Sequence, residues 1–314
     1  MSATRAFLAL TLMASVSRAA GLDHLPPSTS VVMSLESAKV FRHPLVQKHI
    51  IPEIEGILKQ YPNVKLMLKL LKLDPYKDIT QLTLSMGELL KGEVLATVSG
   101  NFNLTRIRTA LAIAAVAKKK NLTIHKLKTG TIYEVKEAGL SAFASFLDKQ
   151  TLIVSFSRSY LESILKAPKP KKSPVLVRLI QLAKQAKTPP VGWAVAIATK
   201  ETRSWLMLTP LATGVSQIRA ATGRIHLSKT AITATGEIHA TTALAARALC
   251  QQVTLIRPIL LLAKLNPIGR EIIDDVLRTM KVSPLRKMAR GYFQVRLSSI
   301  ASLLRLIQPL LKLP

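Results

Sequence analysis

The residues best suited to chemistry are the six histidines and the single cysteine, because imidazoles and thiolates bind metals and act in catalysis. The sequence contains no His-Glu-x-x-His, no Cys-x-x-Cys, no Gly-x-Ser-x-Gly and no phosphate-binding or dinucleotide-binding glycine pattern. His226 and His239 fall near opposite ends of one predicted hairpin, too far apart to share a metal ion. Cys250 lies in an apolar helical run and is predicted to be a buried, inert thiol. The sequence therefore predicts no metal site and no cofactor.

Paired carboxylates offer the next chemistry, since two acids at a suitable separation act as general acid and base. Glu271, Asp274 and Asp275 lie within one and a half helical turns. Helical acids beside Arg270 and Arg278 are more typical of a solvated ion-pair patch than of a catalytic pair. We therefore expect no enzymatic activity, although a hydrolase without a recognisable motif remains an alternative.

Basic residues dominate the composition. The chain of 314 residues carries 45 Lys and Arg against 17 Asp and Glu, a net charge of +28. Residues 20–166 hold 20 basic and 12 acidic residues, whereas residues 167–314 hold 23 and 5. Arginine presents a planar fork to phosphate and carboxylate. The sequence predicts an anion-binding face in the second half, formed by Arg219, Arg224, Arg286, Lys287 and Arg290.

Residues 1–19 have the order of a secretory signal peptide: a basic Arg5, a short apolar stretch, and small residues ending at Ala19. Cleavage there leaves 43 basic and 17 acidic residues. We expect an exported protein, periplasmic or extracellular. Its partner would be an anionic envelope component, either a lipid, a polysaccharide or an acidic protein.

Three observations argue against nucleic acid as a partner. Export separates the protein from chromosomal DNA and cytosolic RNA, aromatic residues make up only 4% of the chain, and no helix-turn-helix or zinc-finger spacing occurs. No apolar run reaches the roughly 18 residues of a membrane span. The Lys65, Lys69 and Lys72 face and the leucine-rich C-terminal helix could dock on a membrane surface, but we favour a role in covering a sheet.

The order hairpin, helix, strand pair, helix occurs twice along the chain. We therefore predict an α+β fold of two similar units, each an antiparallel sheet with helices packed on one face. The boundaries are a first unit at 20–166, a Pro/Lys linker at 167–174 and a second unit at 175–314. Within this repeat, residues 282–295 parallel residues 124–135. Two unrelated α+β domains, or one continuous sheet, are the alternatives.

The register of the second hairpin follows from its alternation of apolar and polar residues. Pairing Leu227 with Thr230, around a Ser228-Lys229 turn, places the apolar sets of both strands on one face. Arg224 then lies on the polar face.

Three stretches of the second half resemble secreted proteins of unassigned function that are common in planctomycetes and related bacteria. They are GRIHL at 223–227, AARAL at 245–249, and the segment 281–295 that ends in GYFQV. Residues 31–165 resemble the same proteins to a lesser degree. This resemblance implies no activity, since the family has none assigned.

The expected function is a secreted, non-catalytic binding or structural protein of the cell envelope. An apolar-ligand carrier is a further alternative, given the many leucines and few large aromatic residues.

Overall fold

A computed structural model describes residues 22, 24–59, 68–69, 71–88, 91–117, 122–137, 140–166, 173–186, 188–200, 203, 216–252 and 270–307. The predicted signal peptide and residues 167–172 of the predicted linker lie outside these ranges.

Twelve strands are present in the described residues. They are β1 (Val31–Leu35), β2 (Ile79–Met86), β3 (Val94–Gly100), β4 (Leu122–Leu127), β5 (Gly130–Glu137), β6 (Leu140–Phe146), β7 (Thr151–Ser155), β8 (Gly192–Ile197), β9 (Ile218–Leu227), β10 (Ala231–Ala240), β11 (Lys281–Leu285) and β12 (Met288–Arg296).

Eight labelled helices lie in the described residues. They are α1 (Ser37–Arg42), α2 (Pro44–His49), α3 (Ile51–Lys59), α4 (Leu104–Ala117), α5 (Arg158–Lys166), α6 (Pro174–Lys184), α7 (Arg270–Thr279) and α8 (Leu297–Ile307). Residues 243–252 are also helical. The α+β class predicted from the sequence is confirmed.

All twelve strands form one antiparallel sheet, in the order β11-β12-β10-β9-β8-β1-β2-β3-β7-β6-β5-β4. The sequence left open whether the two units share one sheet, and the structure has them in one continuous sheet. The units join where β1 pairs with β8, with Val32 opposite Val195. In separate sheets both strands would be apolar edges with unpaired N–H and C=O groups, and pairing them removes two exposed edges.

Helices cover both faces of the sheet rather than one. Leu179 and Ala183 of α6 pack on Trp193 and Val195 of β8, and we call this side of the sheet the α6 face. The helix at 243–252 packs on the opposite face, where Ala289 belongs to its cluster. Both faces are covered because strands such as β8, with the sequence Gly-Trp-Ala-Val-Ala-Ile, have no polar positions. The side chains of such a strand are apolar on both sides of the sheet and need to be buried on both.

The α5 helix shares the α6 face over the first half. Tyr160, Leu161 and Ile164 of α5 pack on Leu95 and Ile153. The registers connect Leu95 through consecutive strand pairs to the residues under α6. The α8 helix contacts α2 and α3, so the last described helix packs against the first half.

The order of strands repeats outward from the β1–β8 junction. On one side lie β2, β3 and β7, and on the other β9, β10 and β12. The strand pair β11–β12 therefore occupies the position of β6–β7, not that of β4–β5 as the sequence parallel between 282–295 and 124–135 suggested. The hairpin β4–β5 extends the first half at its edge.

The second hairpin pairs Leu227 with Ile232 rather than Thr230. The Ser228 N–H donates to the Ala231 carbonyl (2.9 Å), so the two-residue turn is Lys229-Thr230. A shift of two residues keeps every side chain on its predicted face. Ile225 thus pairs with the small Ala234, and the polar side of the hairpin is the α6 face.

Candidate functional site

Three of the five predicted anion-binding residues lie at one end of the sheet. Arg219 is the second residue of β9. The first residue, Ile218, pairs with Ala240 of β10. The Ala240 N–H donates to the carbonyl of Lys287 (2.8 Å), and Lys287 adjoins Arg286 in the β11–β12 turn. Two strand spacings separate the backbones of Arg219 and Lys287, about 10 Å.

We call Arg219, Arg286 and Lys287 the basic rim. All three are exposed. No ion pair joins any of them to a carboxylate in the described part of the chain. The rim therefore presents three uncompensated positive charges to solvent.

The turn that carries Arg286 has an unusual backbone. Leu285 pairs with Met288, which leaves Arg286 and Lys287 as a two-residue loop. Arg286 has φ +53°, a left-handed conformation that glycine adopts more easily than any other residue. An arginine held there places its guanidinium at the tip of the hairpin despite a backbone cost.

Arg224 has a structural role instead. Its Nε–H donates to the Ala183 carbonyl (3.1 Å) and its Nη2–H to the Leu182 carbonyl (2.7 Å). These carbonyls belong to the last turn of α6, where hydrogen-bond acceptors lack intrahelical partners and a positive charge is favourable. Arg224 therefore fixes the end of α6 to the sheet.

Arg290 is also committed within the fold. Its Nη2–H and Nε–H donate to Oε1 of Glu237, at 2.8 and 3.1 Å. Arg224 Nη1 lies 4.0 Å from the same oxygen. The Glu237 side chain is 14% exposed, so one mostly buried carboxylate partly compensates two arginines. The structure thus does not bring all five predicted residues into one free cluster.

Two polar groups without a hydrogen-bond partner among the described residues lie beside this cluster. They are Nε2 of His239 and Oγ1 of Thr222. Thr222 is opposite Glu237 in the sheet, and His239 is two residues beyond it on the same face. Burial lowers the pKa of His239, and the charge of Arg224 lowers it further against the opposing effect of Glu237. The pKa of His239 therefore lies below that of a free imidazole.

A second carboxylate cluster, at Glu134 on β5, was missed by sequence reasoning. His125 Nε2 lies 2.8 Å from Oε2, the Ser141 hydroxyl donates to Oε1 (3.3 Å), and Lys136 Nζ is 3.3 Å away. The hydrogen bond from His125 is the main cause that lowers the pKa of Glu134. Serine and histidine both face the carboxylate rather than each other, so the arrangement does not activate the hydroxyl for nucleophilic attack. An acid and a histidine on facing strands were the available signal.

Among the acids of α7, Asp275 differs from the predicted solvated patch, because it is only 1% exposed. It accepts hydrogen bonds from the Arg296 backbone N–H (2.9 Å), from Arg296 Nε (2.8 Å) and from the Ser299 hydroxyl (2.8 Å). Arg278 Nη2 adds a contact at 3.1 Å. Burial alone would raise the pKa of Asp275, but these hydrogen bonds and the charge of Arg296 outweigh it and lower the pKa.

Comparison with known proteins gives a fold likeness and no family. No family model matches the chain, and no curated protein matches it. Among solved structures, crystal form III of TP0453, a spirochete protein, covers 90% of this chain and 96% of its own, with a TM-score of 0.50 and 11% identity. For crystal form I of the same protein, the match covers 92% of this chain and 96% of that chain, with a TM-score of 0.47 and 10% sequence identity. At such identities the likeness concerns the fold alone.

The remaining candidates for chemistry are few. Among the described residues, no group of three histidine, cysteine, aspartate or glutamate side chains could hold a metal ion. Cys250 is buried, as predicted, and burial raises the pKa of its thiol. Among the helices of the described ranges, none combines the length and hydropathy that crossing a bilayer requires.

Proposed function

We propose that this protein is exported and acts as a non-catalytic binding protein of the cell envelope. Its basic rim would contact an anionic envelope component, a lipid headgroup, a polysaccharide or an acidic protein. The observation that carries this proposal is the position of Arg219, Arg286 and Lys287. They are exposed, without described acidic partners, and gathered at one end of the sheet.

The charge distribution supports the same proposal. Residues 167–314 hold 23 basic and 5 acidic residues. Two of those acids, Glu237 and Asp275, are largely buried and already hydrogen-bonded to arginines. Few carboxylates thus remain to weaken the positive potential around the rim.

Arg224 and Arg290 are left out of the proposed contact surface. Arg224 would have to give up the carbonyls of α6, and Arg290 would have to give up Glu237. Removing either one would change stability as well as charge. The rim alone therefore provides a clean test of anion binding.

The test is sedimentation of the mature protein with anionic and with neutral vesicles across a salt series. Each basic residue near an anionic membrane contributes about 1 kcal/mol, so a triple Arg219→Gln, Arg286→Gln and Lys287→Gln variant should bind anionic vesicles about 100-fold less tightly. Binding should weaken with added salt, because screening acts on exposed charges.

The matched control changes three exposed basic residues of the first half, in Arg108→Gln, Lys126→Gln and Lys128→Gln. It carries the same loss of charge and should retain most of the binding. Equal losses of binding in both triple variants would show that overall positive charge, and not the basic rim, determines vesicle binding. Salt-insensitive binding to neutral vesicles would end the proposal.

Export has its own test. A cell that recognises residues 1–19 should produce a mature protein whose N-terminal residue is Ala20, as its intact mass would show. A cell-associated product that retains Met1 would contradict the proposed localisation without bearing on the anion binding.

A further inference from the structure

A second candidate site lies in the first half, far along the sheet from the basic rim. A cavity of about 510 Å³ is bordered by segments 71–73 and 101–107 together with Asp78 and Lys149. Binding sites for small molecules have volumes of about 300–1,000 Å³. The cavity is therefore large enough for a small organic ligand.

The charged residues around this cavity are mostly positive. Lys72, Arg106 and Lys149 line it, against one acid, Asp78. Within the described residues, no ion pair neutralises any of the three basic side chains. The Asp78 carboxylate already accepts a hydrogen bond from the Asp74 N–H (2.6 Å). The lining carries a formal excess of two positive charges.

The wall of the cavity is fixed by short-range packing. The Asn101 N–H donates to the Asp78 carbonyl (2.8 Å), and a Cβ at Gly100 would collide with that same carbonyl. Phe102 is buried and meets Phe146 edge-on, with ring centroids 5.8 Å apart. This part of the wall is therefore closely packed, and a pre-organised wall lowers the entropic cost of binding.

The start of α4 adds donors to the same wall. Asn103 caps the helix through its side-chain oxygen, which accepts the Arg106 N–H (3.1 Å). The N–H groups of Leu104 and Thr105 come before the first intrahelical hydrogen bond, and both residues line the cavity. These groups favour negative charge but are secondary to the three basic side chains.

We propose that this cavity binds a phosphate group, either as inorganic phosphate or as the terminal phosphate of a small phosphomonoester. A phosphomonoester near neutral pH carries about −1.5 to −2 charge and offers three acceptor oxygens, and inorganic phosphate carries between one and two negative charges. Those charges match the excess in the lining, and the three oxygens match three separate basic donors. A carboxylate has one charge and two oxygens, so it fits the lining less well.

The experiment is isothermal titration of the mature, full-length protein with inorganic phosphate in a phosphate-free buffer of low ionic strength. Arg106→Gln and Lys149→Gln should each weaken binding about tenfold or more, since a charge-assisted hydrogen bond is lost in each. Lys128→Gln, which removes an exposed lysine of the β4–β5 turn, should change binding less than twofold.

At Lys72, the charge can be removed by a substitution that should not destabilise the fold. Its φ is +49°, so Lys72→Gly removes the charge while suiting the backbone. Thermal unfolding should match the wild type, and phosphate binding should fall about tenfold. Equal loss in Lys128→Gln, or no heat from the wild type at millimolar phosphate, would refute the site.

Two further measurements test the identity of the ligand and the location of its binding site. Acetate should bind more weakly than phosphate, and equal binding would overturn the assignment to phosphate. The triple variant of the basic rim should retain phosphate binding; if it loses binding while Arg106→Gln keeps it, phosphate binds at the rim and this site is wrong.

Discussion

Asp275 of α7 holds Arg296 at the end of β12 by two hydrogen bonds, one from the backbone N–H and one from Nε. Arg296 immediately precedes α8, and the Ser299 hydroxyl of α8 donates to the same carboxylate. Because α8 contacts α2 and α3, Asp275 fixes the helix that joins the end of the second half to the first half.

Replacing this carboxylate by its amide should therefore destabilise the fold. Asp275→Asn removes the charge that three partners share, and we expect the free energy of unfolding to fall by about 2 kcal/mol. Urea denaturation followed by circular dichroism measures the change. Glu271→Gln, an exposed acid of the same helix, is the control and should stay within about 0.5 kcal/mol. Equal effects in both variants would show that net helix charge, not the buried contact, matters.

Acid should weaken the same contact. The pKa of Asp275 is lower in the folded protein than in an unfolded chain, where it is about 3.9. Its contribution to stability is then complete above that value and is lost as pH falls through the folded pKa. We expect the difference in unfolding free energy between the wild type and Asp275→Asn to shrink below about pH 4. Curves that stay parallel down to pH 2 would contradict this account.

His239 should make stability depend on pH over a higher range than Asp275 does. Its pKa is lowered in the folded protein, mainly by burial, so between that pKa and the unfolded value of about 6.5 the unfolded chain binds a proton that the folded protein does not. Stability should therefore fall as pH drops from 7.5 toward 5.5. His239→Gln cannot take up this proton and should show a flatter dependence over that range. Glu237→Gln should steepen the wild-type dependence, since Glu237 is the group that raises this pKa.

Local alternation was enough to place Arg224 on the polar side of the second hairpin, because a register error of two residues does not change faces. The fate of that side chain could not be predicted, since it depends on α6 lying over β8 and β9. The carbonyls of Leu182 and Ala183 that bind Arg224 are about forty positions earlier in the chain. The shared use of Glu237 by two arginines has the same long-range origin.

The burial of Asp275 and the β1–β8 junction were hidden for related reasons. In the sequence, Asp275 lies beside acids and arginines that suggest a solvated face, but the end of β12 and the start of α8 both contact its carboxylate. Val31–Leu35 and Gly192–Ile197 each resemble the edge of their own unit. Nothing local distinguishes an edge strand from one that pairs with a strand more than 150 residues away.

The basic rim allows stability and binding to be separated at one residue. Arg286 occupies the left-handed region, which costs a non-glycine residue about 1–2 kcal/mol, whereas glycine adds about 0.5–1 kcal/mol of chain entropy to the unfolded state. Arg286→Gly should thus leave the free energy of unfolding unchanged or raise it by up to about 1 kcal/mol. Binding to anionic vesicles should nevertheless weaken about fivefold through the lost charge.

The positive φ is confined to Arg286 within this turn, so Lys287→Gly is the matched control. It should lose similar binding but also lose about 0.5–1 kcal/mol of stability. If Arg286→Gly destabilises the protein as Lys287→Gly does, the backbone of Arg286 stores no strain.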